Sequence, residues 1–199
     1  MKAVYFTEHG GPEVLKFGEL PEPTPGEGEV KIKVNACALN RLDVYTRAGM
    51  RGTKMDLTEP HVLGADVSGE VVATGPKVTR VSEGDRVVVN PRITCMQCRY
   101  CQSNQSEYCS SAGMVGSAIR GGYAEYVVVP ATNAFPIPDD LSYVQAASLP
   151  TVFMPSWNIL IRRSQLKPWE TALVPSASSG VGTAAIQVAK NIAKSTVIA

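Results

Sequence analysis

Four of the chain's 5 cysteines fall in one run, CMQCRYCQSNQSEYC, as Cys95, Cys98, Cys101 and Cys109. A thiolate quartet suits the tetrahedral preference of Zn²⁺ for soft sulfur ligands, and the two-residue gaps let a tight loop wrap one ion. Four protein ligands close the coordination shell, so such a zinc holds structure and performs no catalysis. An iron–sulfur cluster fits less well: the bacterial ferredoxin pattern has a three-residue last gap followed by proline, whereas here seven residues intervene and Ser110 follows. Paired disulfides are the other alternative. They need an oxidising compartment, and the amino terminus MKAVYFTEHGG lacks the apolar run and cleavage region of a signal peptide. Isolated Cys37, in the apolar run VNACAL, reads as an ordinary buried side chain.

A second chemical signal lies near the carboxyl end. Residues 171–199, TALVPSASSGVGTAAIQVAKNIAKSTVIA, read as a strand, a Ser/Gly turn, an alanine-rich amphipathic helix and the start of another strand. This is the opening of a βαβ unit, in which glycines let the backbone approach a pyrophosphate and the helix N-terminus presents free N–H groups. Gly180 and Gly182 sit at the turn with Ser178, Ser179 and Val181. The G-x-G-x-x-G fingerprint is incomplete, with Ser178 in the first place and Ala185 in the last. A plain packing turn is the alternative.

The elements that must position these groups change character along the chain. From residue 1 to about 135, the runs AVYF, EVKIKV, VSGEVVATG, GDRVVVN and YAEYVVV are short, β-branched and cut by Gly and Pro. They predict a barrel-like all-β domain with few helices. The cysteine run lies between the last two, in a stretch too long for a hairpin turn, which a metal could keep ordered. PEPTPG, residues 21–26, is a stiff surface connection between strands. Beyond residue 139 the pattern turns helical, starting with DDLSYVQAASL. We place the boundary after residue 138: residues 1–138 form the β domain with the cysteine loop at 95–109, and residues 139–199 hold connecting helices and one βα unit.

Composition narrows the partners. With 19 basic and 18 acidic residues, a net charge of +1 and no charged block, nothing points to nucleic acid. No apolar stretch approaches the ~20 residues that span a bilayer, so a cytoplasmic protein with a small-molecule substrate is expected.

The segments GPEVLKFGELPEPTPGEGEVKIKV, LGADVSGEVVATG, GDRVVV, GGYAEYVVVP and SSGVGTAAIQVAK, with the cysteine loop, together resemble the medium-chain dehydrogenase/reductase superfamily, which includes zinc-type alcohol dehydrogenases and quinone oxidoreductases. The resemblance implies an α/β chain with a β-rich N-terminal domain, a GroES-like β-barrel followed by the start of a Rossmann domain. It also implies a structural zinc on the cysteine loop, NAD or NADP as cofactor with Thr151 and residues 178–182 at its site, and a homodimer or homotetramer.

The same resemblance identifies what is missing. In zinc-dependent relatives a catalytic zinc is held at positions that here carry Asn40, Ala65 and Thr151, and Leu42 replaces the hydroxyl of the proton relay. Alanine cannot coordinate, and amide and hydroxyl oxygens are poor ligands for a borderline-soft ion. Asp43, Asp66 and His61 are a weak basis for a rebuilt site. His61 reads as a surface or strand-entry residue, and His9 lies in a polar turn before Gly10-Gly11. What remains is hydride transfer to a quinone or α,β-unsaturated carbonyl, with Asn40 donating to the developing oxyanion, Asp43 orienting the local backbone and Tyr45 or water supplying the proton. An alcohol dehydrogenase with another ligand set and a non-catalytic scaffold are the alternatives. A complete dinucleotide domain has about six parallel strands. The chain ends at Ala199, where the residue that separates NAD from NADP should follow, so a fragment is expected.

Overall fold

Alternating apolar residues build the central sheet. In the long strand β3 (Glu29–Ala38), Val30 and Ile32 are fully buried while Lys33 is exposed. The same period of two recurs in β6 (Arg86–Val89) through Val87 and Val89, and in β9 (Tyr126–Pro130) through Val127 and Val129. Strand β5 (Asp66–Thr74) is buried along most of its length, so it takes the centre. With β10 (Ala134–Pro136) the antiparallel order is β10-β6-β5-β3-β9. Burying each of these Val and Ile side chains stabilises the fold by roughly 1.5–3 kcal/mol.

The computed structural model describes residues 1–199 and divides the chain into two compact units, Met1–Ala147 and Ser148–Ala199. In the first, β1 (Lys2–Phe6) pairs with β2 (Lys16–Glu19) and with the two-residue β4 (His61–Val62), and an Ala3–Ala124 bridge joins this sheet to the segment before β9. One helix, α1 (Arg41–Ala48), follows β3 directly. The cysteine loop is closed at its base by β7 (Arg92–Ile93) and β8 (Gly113–Met114), and it contains a single turn of helix, α2 (Arg99–Gln102).

The division falls after Ala147 rather than after residue 138. Helix α3 (Tyr143–Ala147) opens on a reciprocal cap, with Ser142 Oγ accepting from Gln145 N and Gln145 Oε1 accepting from Ser142 N. The segment leading into it is tied to the sheet by side chains that a linear reading cannot pair. Arg86 donates to the carbonyls of Pro138, Asp139 and Leu141 and stacks on the Tyr143 ring at 4.8 Å, and the buried Ser68 hydroxyl donates to the Tyr143 carbonyl.

In the second unit, α4 (Pro150–Trp157) starts on a proline and runs into a π-helical turn, Asn158–Arg163. Strands β11 (Thr171–Leu173) and β12 (Thr196–Ile198) pair in parallel, with α5 (Gly180–Asn191) as the crossover between them. This is the βαβ opening that the residue pattern requires.

Candidate functional site

The four cysteines converge. All four Sγ atoms lie within 4.8 Å of one another, with Cys98–Cys101 at 3.5 Å, Cys95–Cys109 at 3.6 Å and Cys95–Cys101 at 3.9 Å. Four sulfurs at the Zn–S distance of ~2.3 Å from one tetrahedral ion would stand about 3.8 Å apart, so the quartet has the span of a single zinc. A multi-iron cluster needs a wider cage, and all five cysteines are free thiols. The fit extends to the charge of the donors. The amides of Gln97 and Cys98 hold the Cys95 thiol down to about 6, while desolvation and the neighbouring sulfurs push Cys101 up to about 11, so a metal entering here would take the Cys95 thiolate first and displace the proton of Cys101. Cys109 is buried and the other three are half-buried, as expected of a closed structural site.

The second group of polar residues sits where β3 hands over to α1. Asn40 is the N-cap of α1 and Asp43 occupies the third helical position, so Asp43 Oδ2 accepts from the Asn40 amide at 2.7 Å. Asp43 is buried, and its carboxylate collects two more donors: the Gly64 amide at 3.2 Å and the Tyr123 hydroxyl at 2.8 Å. Asn40 Nδ2 donates to Asp66 Oδ2 at 3.0 Å. Gly64 adopts φ 101°, and a Cβ there would come within 2.7 Å of the Tyr123 ring and 2.8 Å of Cys37 Sγ. Only glycine lets this backbone lie under the ring. The network faces a cleft of about 750 Å³ whose walls include Val4, Leu15, Val34, Leu39 and Val44.

Cys37 lines that cleft, and burial first, then the nearby charges of Asp43 and Asp66, push its thiol up to about 12 from an ordinary 9.0. A thiol raised on folding keeps its proton in the fold at a pH where the unfolded chain has lost it. Stability is therefore unaffected below pH 9 and falls as the pH rises from about 9 to about 12. We expect Cys37→Ala to flatten this decline, measured as the difference in chemical-denaturation midpoint between pH 8 and pH 10.5 in the variant and the parent chain.

Not every expected residue takes the expected place. Asn40 and Asp43 meet in the network, but Tyr45 does not line the cleft. Its ring carries the Arg51 guanidinium at 4.6 Å, and its carbonyl accepts from Thr53 and Met50. The tyrosine at the cleft is Tyr123, which lies 80 residues from Asp43 in sequence. Its local signal is the glycine pair Gly121-Gly122 before it, which marks a close backbone approach: a Cβ on Gly121 would fall 2.4 Å from the Gly64 carbonyl oxygen. Ala65 is 2% exposed and presents only a methyl group. A neutral amide oxygen, all that Asn40 could offer, is a poor ligand for a borderline-soft ion, so these two positions do not fit a catalytic zinc. His61 bonds the Gly116 carbonyl and packs edge-on against Phe6, and burial holds its ring below its ordinary range.

In the second unit the glycine turn is built as a helix cap. Ser179 Oγ accepts from Gly182 N at 3.0 Å and donates to the Ser176 carbonyl at 2.8 Å. A Cβ on Gly182 would fall 2.0 Å from the Ser176 carbonyl oxygen, so glycine is required for α5 to sit this close to the turn. Buried Ser156 on α4 donates to the Val181 carbonyl at 3.0 Å, while Thr151 lies in the first turn of that helix. Ser178 and Gly180 are exposed, leaving the first helical turn open to an anionic ligand.

Comparison with known proteins agrees with these features. The alcohol dehydrogenase GroES-like domain matches residues 26–139. A quinone oxidoreductase of Lama guanicoe is 32% identical over 96% of this chain and 49% of its own length. An NAD-dependent alcohol dehydrogenase of Sulfurisphaera tokodaii is 34% identical over 100% of this chain and 58% of its own. The structure of a cobalt- and zinc-bound thermostable alcohol dehydrogenase from Pyrobaculum aerophilum superposes with a TM-score of 0.90 at 39% identity, covering 99% of this chain and 58% of that one. The chain thus spans about half the length of the relatives it matches. By its barrel, its cysteine loop and its βαβ opening, the chain belongs to the medium-chain dehydrogenase/reductase superfamily.

Proposed function

We propose that the protein is an NAD(P)H-dependent reductase of quinones or α,β-unsaturated carbonyls, with one structural zinc on Cys95, Cys98, Cys101 and Cys109 and no catalytic zinc. The observation that carries this reading is the replacement of metal donors beside α1: Ala65 offers a methyl group, and Asn40 only a neutral amide oxygen. The bound dinucleotide supplies hydride. A conjugated acceptor spreads the resulting negative charge, so it demands less stabilisation than an isolated alkoxide. Asn40 Nδ2 has two hydrogens, and with one directed at Asp66 the other is a donor for the forming oxyanion. Asp43 holds the backbone of Asn40 in place, and the proton comes from water. The turn at Ser178, Ser179, Gly180, Val181 and Gly182 would take the pyrophosphate, with Thr151 in the same unit. No helix of the fold is long and apolar enough to cross a membrane. A soluble homo-oligomer, a dimer or tetramer acting on a small molecule in the cytoplasm, completes the proposal.

The test is metal analysis combined with NADH and NADPH oxidation on the full-length protein. One zinc per chain with turnover of benzoquinones or enones supports the proposal. Two tightly held zincs, one of them removable with loss of alcohol oxidation, would overturn it in favour of an alcohol dehydrogenase.

A further inference from the structure

We propose that Tyr123 is a positioning residue that holds Asn40 in its donating geometry by way of Asp43. The proposal rests on the reading of Asn40 as the oxyanion donor. Tyr123 is itself rigidly placed: its amide donates to the Leu63 carbonyl at 3.0 Å, its carbonyl accepts from Val4 at 2.8 Å, and its ring lies on the glycine backbone at position 64. Its hydroxyl and the Asn40 amide both donate to one oxygen, Asp43 Oδ2, while Gly64 N donates to the other.

The carboxylate is therefore fixed from three directions, and only the Tyr123 bond comes from a side chain. Without that hydroxyl, Oδ2 keeps a single donor and the carboxylate is held by two backbone amides alone, the Gly64 bond being the longer at 3.2 Å. The N-cap loosens with it, and the Asn40 carboxamide is no longer held at both its backbone and its Asp66 contact. Tyr123 does not serve as the proton source. Burial and the Asp43 charge hold its hydroxyl far above its ordinary range, and the proton is already committed to Asp43.

Tyr123→Phe removes the hydroxyl and keeps the ring. In the full-length protein we expect kcat for a quinone or enone acceptor to fall about tenfold, as for loss of one hydrogen bond to a charged group, with the acceptor KM within about twofold. Asp43→Asn should lower kcat as well, and the double variant should be no slower than the slower single one, because both act through one path. A readout independent of turnover is the Asn40 side-chain amide in the NMR spectrum of the full-length protein. In the parent its hydrogen-bonded proton should be shifted and protected from exchange, and in Tyr123→Phe both properties should move toward those of a free amide.

Unchanged kcat in Tyr123→Phe, multiplying effects in the double variant, or an unmoved Asn40 amide would each overturn the positioning role. If Tyr123→Phe does not fold, Tyr123→Trp and Tyr123→Leu, read by the same amide signal, take its place. A parent protein that binds dinucleotide but turns over no quinone or enone defeats the functional reading instead, and the Asn40 signal still decides the role of Tyr123.

Discussion

Replacing Cys109 by Ala is expected to abolish tight zinc binding and lower the melting midpoint of the barrel by roughly 15 °C, on the order of 5 kcal/mol. Cys109 is the buried member of the quartet and closes the loop from its far end, 3.6 Å from Cys95. Beyond the two-strand base of β7 and β8, the loop has little regular structure: one turn of α2, a short 3-10 turn at Ser106–Tyr108, and a Tyr100–Tyr108 ring contact. A metal bound by the four sulfurs, worth several hydrogen bonds, would be its main restraint. The checks are zinc content by atomic absorption and thermal melts with and without a chelator. The parent should lose a similar amount of stability when stripped of metal, and Cys109→Ala should be insensitive to the chelator. A variant that retains one tightly bound zinc would show that Cys109 is not a required ligand, and an unshifted midpoint would show that the loop is held by something else.

The second large effect is expected for Asp43→Ala, at about 4 kcal/mol or about 10 °C. One buried carboxylate satisfies the Asn40 amide, the Gly64 amide and the Tyr123 hydroxyl, and alanine leaves all three without an acceptor. Asn at the same position keeps an oxygen and should recover part of the loss. Chemical-denaturation midpoints of the two variants against the parent decide it. Equal stability of Asp43→Ala and the parent would mean that water replaces the carboxylate at little cost and that the network is looser than its distances indicate.

Much of this molecule was legible in its residues because the decisive interactions are local. The Cys-x-x-Cys spacing brings its ligands together through short loop segments, and the α5 turn is shaped by Ser179, Gly180 and Gly182 in direct succession. Alternating Val residues marked β3, β6 and β9 for the same reason. The interior of the cleft was not legible, because its contacts join residues 40, 43, 64, 66 and 123, which nothing in a linear pattern pairs. Tyr45, two residues beyond Asp43, was the expected proton source, but its ring carries the Arg51 guanidinium instead. The place of α3 was hidden likewise, since Arg86 and Ser68 attach its leading segment to the barrel from across the sheet.

The pairing of β3 with β9 has a consequence for how the barrel forms. Glu29 lies opposite Pro130, so this pairing cannot begin until the intervening chain, cysteine loop included, has been made and brought back. Closing so long a loop is slow on entropic grounds. Gathering Cys95–Cys109 on one ion would shorten that excursion only slightly, and closure entropy varies slowly with length, so the return of β9 itself sets the pace. Until Tyr126–Pro130 has been made and has returned, the β3 edge that it covers stays open to any other strand that could pair there.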